Sequence, residues 1–190
     1  MSVVAILGSP RPIGNSTILA EAAIKAIEAE PSDTRKFVIN DLNVKGCQAC
    51  YSCKTKTEFC AVKDDLSPAL AAVANADYVI VTSPIYIGEI TAQFKAFIDR
   101  SFSFLVPDYK NKPNPSRLTP GRKLLFVQTQ GNPDTSTYQK RFDFYLDFFR
   151  RLGFKADGLI AAGLSPDPTV EIRPELIKEV EAKATALLKA

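Results

Sequence analysis

The chain has 190 residues, 46% hydrophobic and 24% charged, a balance that belongs to a folded globular protein and excludes disorder. Its 24 Lys and Arg against 21 Asp and Glu leave a net charge of +3 without clustering, which points away from nucleic acid and acidic membrane surfaces and toward a small-molecule partner. It has no His, so imidazole can serve neither as base nor as metal ligand, and its four Cys fall within one short stretch, Cys47 to Cys60.

The chain opens on an apolar run, Val3 to Leu7, of the kind that suits a strand buried on both faces of a parallel sheet. A polar turn, Gly8-Ser9-Pro10-Arg11-Pro12-Ile13-Gly14-Asn15-Ser16-Thr17, leads from it into a helix capped by Asn15 or Ser16, with Ile18, Leu19, Ala22, Ala23, Ala26 and Ile27 on one face. A second strand is expected from Arg35 to Ile39, then an Ala-rich helix capped by Asp64 or Asp65, then a third strand, Tyr78 to Val81. The stretch Leu66 to Gly88 carries a single charge, Asp77, but Pro68 and Pro84 interrupt it, so no membrane span is expected. A helix from Thr91 to Phe104, a fourth strand from Lys123 to Gln128, a fifth from Leu159 to Ala162 and a last helix from Pro174 complete the pattern. Alternating strands and helices imply an open, doubly wound α/β sheet of five parallel strands with helices on both faces and no internal domain boundary.

Two segments stand apart. Residues 106–121 carry Pro107, Pro113, Pro115 and Pro120 and read as a lid, an oligomer arm or a disordered excursion. The helix Thr137 to Leu152 has Tyr138, Phe142, Tyr145, Phe149 and Leu152 on one face, and Phe144 and Phe148 on another, which argues for a subunit interface.

In an open parallel sheet, ligands bind beyond the carboxyl ends of the strands where chain order reverses. The loop after the first strand lies there: Ser9, Asn15, Ser16 and Thr17 offer polar donors, Arg11 offers charge, Gly14 permits close approach, and the following helix points its amino end at the anion. It lacks both the glycine-rich dinucleotide fingerprint and the Gly-Lys-Ser/Thr ending of a nucleotide P-loop, and suits a single terminal phosphate. After the third strand, Ser83, Pro84, Ile85, Tyr86, Ile87 and Gly88 suit a flat apolar ring, and Thr129, Gln130 and Gly131 offer polar groups to its edge.

Gly8-Ser9-Pro10-Arg11 with Gly14-Asn15-Ser16, the four cysteines followed by Asp64-Asp65, Ser83-Pro84-Ile85-Tyr86, and Phe97-Ile98-Asp99-Arg100 together resemble the flavodoxin-like NADPH-dependent FMN reductase family. Within it, the cysteine pattern is most similar to the iron-sulfur flavoproteins. The resemblance spans nearly the whole chain in one order. It implies strand order 2-1-3-4-5 and one FMN-binding domain over residues 1–190, with a cysteine loop at 46–63. It further implies that Ser9, Arg11, Asn15, Ser16 and Thr17 hold the FMN phosphate, that residues 84–88 line the isoalloxazine, and that the chain forms a homodimer or homotetramer.

The spacing Cys47-x2-Cys50-x2-Cys53-x6-Cys60 lets one loop wrap three corners of a 4Fe–4S cubane with a fourth thiolate closing it. Metal-free thiols, zinc and a disulfide are the alternatives. In strand order 2-1-3-4-5 this loop is expected on the sheet edge that holds the flavin loops. With no signal peptide, a cytoplasmic setting with reduced thiols is expected. The expected activity passes electrons from NAD(P)H or ferredoxin through FMN to a flavin, quinone or oxygen species, with no side-chain acid or base assigned. The rivals are an electron carrier without nicotinamide activity and a thiol or zinc redox sensor. Arg100 is expected to meet a partner subunit, a dinucleotide phosphate or a helix-end carboxylate.

Overall fold

The computed structural model describes residues 1–27, 34–164 and 173–190. Strands β1 (Val3–Leu7), β2 (Thr34–Val38), β3 (Tyr78–Tyr86), β5 (Lys123–Thr129) and β6 (Lys155–Ala161) pair in parallel in the order β2-β1-β3-β5-β6, the predicted topology. One short strand was not expected: β4 (Glu89–Ile90) folds back antiparallel on the end of β3. Its two-residue turn, Ile87-Gly88, has positive φ at both positions (49° and 76°), the primed-turn geometry that matches the twist of a hairpin. β3 therefore runs to Tyr86: its ladder to β1 ends at Thr82 and that to β5 at Pro84, and Ile85 and Tyr86 pair with β4 beyond them.

Helices α1 (Asn15–Ile27) and α6 (Pro174–Lys189) cover one face of the sheet, and α3 (Leu66–Asn75), α4 (Ala92–Arg100) and α5 (Gln139–Arg151) the other. The strands supply both layers by alternation: Ala5, Ile80, Leu125 and Val127 face α1 and α6, while Val4, Ile6, Val79, Val81 and Phe126 face α4 and α5. The helix expected from Thr91 to Phe104 is α-helical only to Arg100; Thr91 caps it by accepting from the Phe94 amide, and Ser101–Phe104 tighten into a 3-10 turn.

The second layer is centred on Phe126, fully buried, with Phe142 stacked at 5.2 Å between centroids and Phe149 edge-on at 5.8 Å. Phe126→Ala is expected to lower the unfolding free energy by about 3–5 kcal/mol, measured by urea denaturation, because four rings lose a shared partner and the strand cannot collapse into the gap. A loss below about 1 kcal/mol would show that the cluster repacks.

Residues 106–121 are anchored at both ends to the body of the chain. Leu105 bridges antiparallel to Ser116, the Val106 amide donates to the Pro115 carbonyl, and Ser116 donates to the Leu152 carbonyl at the end of α5. Leu118 is buried in the core layer of α4 and α5. Three prolines restrict the backbone between those anchors, so the segment closes on itself as a hairpin braced against α5.

Candidate functional site

Two cavities concentrate the residues singled out by the sequence, and they have no lining residue in common. The first, about 210 Å³, lies at the carboxyl edge of the sheet and is lined by Ser9, Arg11, Gly14, Asn15, Ser16, Pro84, Ile85, Tyr86, Thr129, Gln130, Gly131 and Leu164. Three loops spread along more than a hundred residues of sequence meet there because β1, β3 and β5 are neighbours. Thr17, Ser83, Ile87 and Gly88 are not among its lining residues. Ser83 is buried one layer below, donating to the Pro84 carbonyl and accepting from the Thr91 amide, so it ties β3 to the start of α4. Ile87 is fully exposed at the hairpin tip, and Thr17 donates back to the Arg11 carbonyl. Leu164 was missed: it follows β6 and reaches the cavity because its amide donates to the Gln130 carbonyl.

The shape of this cavity begins at Gly8, whose amide donates to the Thr82 carbonyl and whose carbonyl accepts from the Thr91 hydroxyl. Ser9, buried, accepts from the Arg11 amide and turns the chain, and Gly14 packs on its hydroxyl, where an added Cβ would stand 3.0 Å away. On the opposite wall Gln130 donates to the carbonyls of Asn132 and Asp134, which closes the turn after β5.

The second cavity, about 500 Å³, holds all four thiols, Cys47, Cys50, Cys53 and Cys60. Its floor is the outer stripe of α4 and the turn after it, Lys95, Ile98, Asp99, Arg100, Phe102 and Ser103, and its wall is Phe144, Tyr145 and Phe148 of α5. The second aromatic stripe of α5 is thus part of the thiol cavity. The cysteine loop does not stay at the carboxyl edge. It crosses the outer side of α4 toward that helix's far end, where Lys54 donates to the Phe102 and Leu105 carbonyls and Arg117 of the Pro-rich hairpin donates to the Cys53 carbonyl. Ala49 and Tyr51, both with left-handed backbone, fold the loop back between successive thiols, and Thr57 donates to the Phe59 carbonyl to make the last turn without a glycine. Tyr145 links the two regions, lining the thiol cavity while its hydroxyl donates to Glu89, which pairs with Tyr86.

The ends of the cysteine loop are tied by one buried ion pair. Asp64 accepts from the amides of Lys45 and Leu66 and pairs with Arg100 at 2.5 Å, the two side chains 6% and 0% exposed. Arg100 therefore meets neither Asp99, which pairs with Lys95, nor a surface ligand. Burial opposes the Arg100 charge, but the hydrogen-bonded Asp64 and the neighbouring Cys60 outweigh it and raise its pKa. Nearer the surface, the Ser52 hydroxyl and amide hydrogen-bond Cys50 and hold that thiol below its ordinary value. Burial pushes Lys54 down, opposed by the neighbouring Cys53.

The residues fit an iron–sulfur cubane in chemistry. Four thiols share one cavity, Lys54, Arg100 and Arg117 surround them with positive charge, and two buried polar atoms at the cavity, Arg100 Nε and Ser103 Oγ, have no hydrogen-bond partner among the described residues. Among the described residues no group of three or more Cys, Asp or Glu converges as it would around a single ion. A cubane takes one thiolate at each of four corners, so its ligands stand apart where those of zinc close on one point.

Comparison with known proteins agrees with this architecture. The family model for NADPH-dependent FMN reductase matches residues 1–137. An iron-sulfur flavoprotein of Methanocaldococcus jannaschii is 39% identical over 101 residues, 53% of this chain and 52% of the relative. One from Archaeoglobus fulgidus is 38% identical over 104 residues, 55% and 47% of the two chains. The chain thus spans about half the length of the curated relatives it matches. Among solved structures, an FMN-dependent NADH-azoreductase of Bacillus anthracis superposes with TM-score 0.71 at 15% identity over 98% of this chain and 99% of the other. An NAD(P)H:quinone oxidoreductase of Methanothermobacter marburgensis gives 0.72 at 14% identity over 97% and 95%. At that identity the two structures speak for the fold. No described helix is long and apolar enough to cross a membrane.

Proposed function

We propose that this chain, which belongs to the NADPH-dependent FMN reductase family, is an FMN-dependent oxidoreductase of the iron-sulfur flavoprotein type, taking electrons from NAD(P)H or ferredoxin and delivering them to a small acceptor such as a flavin, a quinone or an oxygen species. The observation that carries this reading is the pairing of two cavities on one sheet, a polar loop cavity at the strand ends and a separate cavity holding all four cysteines. FMN, when bound, supplies the exchange between two-electron and one-electron chemistry. The residues supply its place. Ser9, Asn15 and Ser16, with Arg11 and Thr17, would hold the phosphate at the amino end of α1, where the helix dipole favours an anion. Pro84, Ile85 and Tyr86 would pack the ring, with Ile87 and Gly88 shaping the turn beyond, Ser83 fixing the strand end from beneath, and Thr129, Gln130 and Gly131 meeting the polar edge. Cys47, Cys50, Cys53 and Cys60 would ligate a 4Fe–4S cluster. A cytoplasmic location and a homodimeric or homotetrameric state belong to the same reading.

Anaerobic purification with absorbance, iron and flavin analysis tests it. The expected material carries one FMN and about four irons per chain, and NADPH bleaches the flavin band. Flavin that stays yellow with NADPH would instead identify an electron carrier reduced by another protein.

A further inference from the structure

We infer that Arg100 and Ser103 are positioning residues that donate hydrogen bonds to the sulfur side of the thiol cavity and raise the reduction potential of the cluster held there, an inference that rests on the cluster reading above. The argument is an accounting of donors. A guanidinium has five N–H groups and no acceptor, and a buried one is expected to find a partner for each. Arg100 Nη1 donates to Asp64 and to the Lys45 carbonyl, and Nη2 donates to the Val62 carbonyl and to Ser67. Nε is left, buried and without an acceptor among the described residues, on a side chain that lines the cavity and has the Cys60 thiol as its neighbour.

Ser103 repeats the pattern three residues on. It is buried, it lines the same cavity, and its hydroxyl has no partner among the described residues, although Ser101 beside it on the same turn is satisfied by the Phe97 carbonyl. Two orphaned donors at one thiol-lined cavity are the arrangement that thiolate or sulfide acceptors would complete. The Asp64 pair and the two carbonyls fix the guanidinium from behind, so Nε is held in place without the thiol's help. Hydrogen bonds to cluster sulfurs stabilise the reduced, more negative state, and removing them lowers the potential.

The test compares cluster potentials, by anaerobic redox titration followed in the visible spectrum or by EPR, in the wild type, Arg100→Lys and Ser103→Ala, with iron measured on every sample. Lysine keeps the charge beside Asp64 but removes Nε–H. Alanine at 103 removes only a hydroxyl that has no partner, so that variant retains the fold whatever happens at 100. Arg100→Lys is expected to shift the one-electron equilibrium about tenfold toward the oxidised cluster, about 59 mV more negative, and Ser103→Ala about fivefold in the same direction. Ser67→Ala, on the Nη2 side, leaves the potential where it is. Full iron with an unmoved potential in Ser103→Ala, or in iron-loaded Arg100→Lys, overturns the inference and leaves the cluster reading standing. Wild type without iron removes both.

Discussion

Asp64→Asn is expected to cost about 3–5 kcal/mol of stability, the largest loss from a change of so few atoms in this chain. The substitution keeps the shape, but it strips the counter-charge from Arg100, a fully buried cation, and turns one of the two oxygens that accept from the Lys45 and Leu66 amides into an NH2 donor. Removing one partner of such a pair is costly because the remaining charge has lost both water and its neighbour. The damage is local as well as global. Asp64 accepts from Lys45 on one side of the cysteine loop and begins the run into α3 on the other, and Asp65 accepts from the Asn43 amide beside it, so the loop is closed by two adjacent carboxylates.

The pH dependence follows from the same contacts. Burial alone would raise the Asp64 pKa, but hydrogen bonds from Arg100 and the Lys45 amide outweigh it and hold the carboxyl below its usual range. A carboxylate whose native pKa is depressed contributes stability that is present above its unfolded value, about 3.9, and lost as pH falls through the native value. Urea denaturation at neutral pH should therefore show the full gap between wild type and Asp64→Asn, narrowing below about pH 4. Lys95→Ala breaks a pair whose side chains are both 43% exposed, and should change stability by no more than about 0.5 kcal/mol. A neutral-pH loss for Asp64→Asn no larger than that of Lys95→Ala would mean that Arg100 finds solvent.

The second large effect is expected at Gly8. A Cβ there would stand 2.7 Å from the Thr82 carbonyl oxygen and 2.8 Å from Phe94 Cβ, contacts that neither a strand backbone nor a packed ring can relieve by a small rotation. Gly8 is also hydrogen-bonded on both sides, to Thr82 and Thr91, so it cannot slide along the strand. Gly8→Ala must push the end of β1 away from β3 at the residue where the polar loop begins. Overpacking of this kind costs about 1–3 kcal/mol. Because Ser9 and Arg11 move with it, FMN should bind at least about tenfold more weakly, ~1.4 kcal/mol, in a fluorescence-quenching titration of the flavin-free protein. Gly46→Ala, with open space around its Cβ, serves as the control. An FMN affinity within twofold of wild type in Gly8→Ala would separate the loop from the flavin.

Much of this molecule was legible from the chain alone, for identifiable reasons. The alternation of apolar runs with amphipathic stretches pointed to the parallel sheet, because strands buried on both faces read as continuous apolar runs, and the family resemblance implied its strand order. The loops after β1, β3 and β5 were identified as one site because adjacency in the sheet follows from that order. Boundaries were less legible where hydrogen bonding, not hydrophobicity, ends an element. Pro84 looks like the end of β3, yet the strand continues to Tyr86, and the helix from Ala92 tightens after Arg100 where its last carbonyls bond locally.

What only the tertiary structure decided is where the long loops go. Composition marked Cys47 to Cys60 as a ligand-rich stretch, and topology placed its start at the carboxyl edge, but a loop's path depends on which distant groups satisfy its backbone and charges. Here those groups are Arg100, Arg117 and the carbonyls that receive Lys54, and they draw the loop across α4 and under α5. The same contacts brace the Pro-rich stretch against the cysteine loop and make Arg100 a buried anchor. Periodicity along the chain records which side chains avoid water. It carries no record of which polar group, tens of residues away, will be the partner.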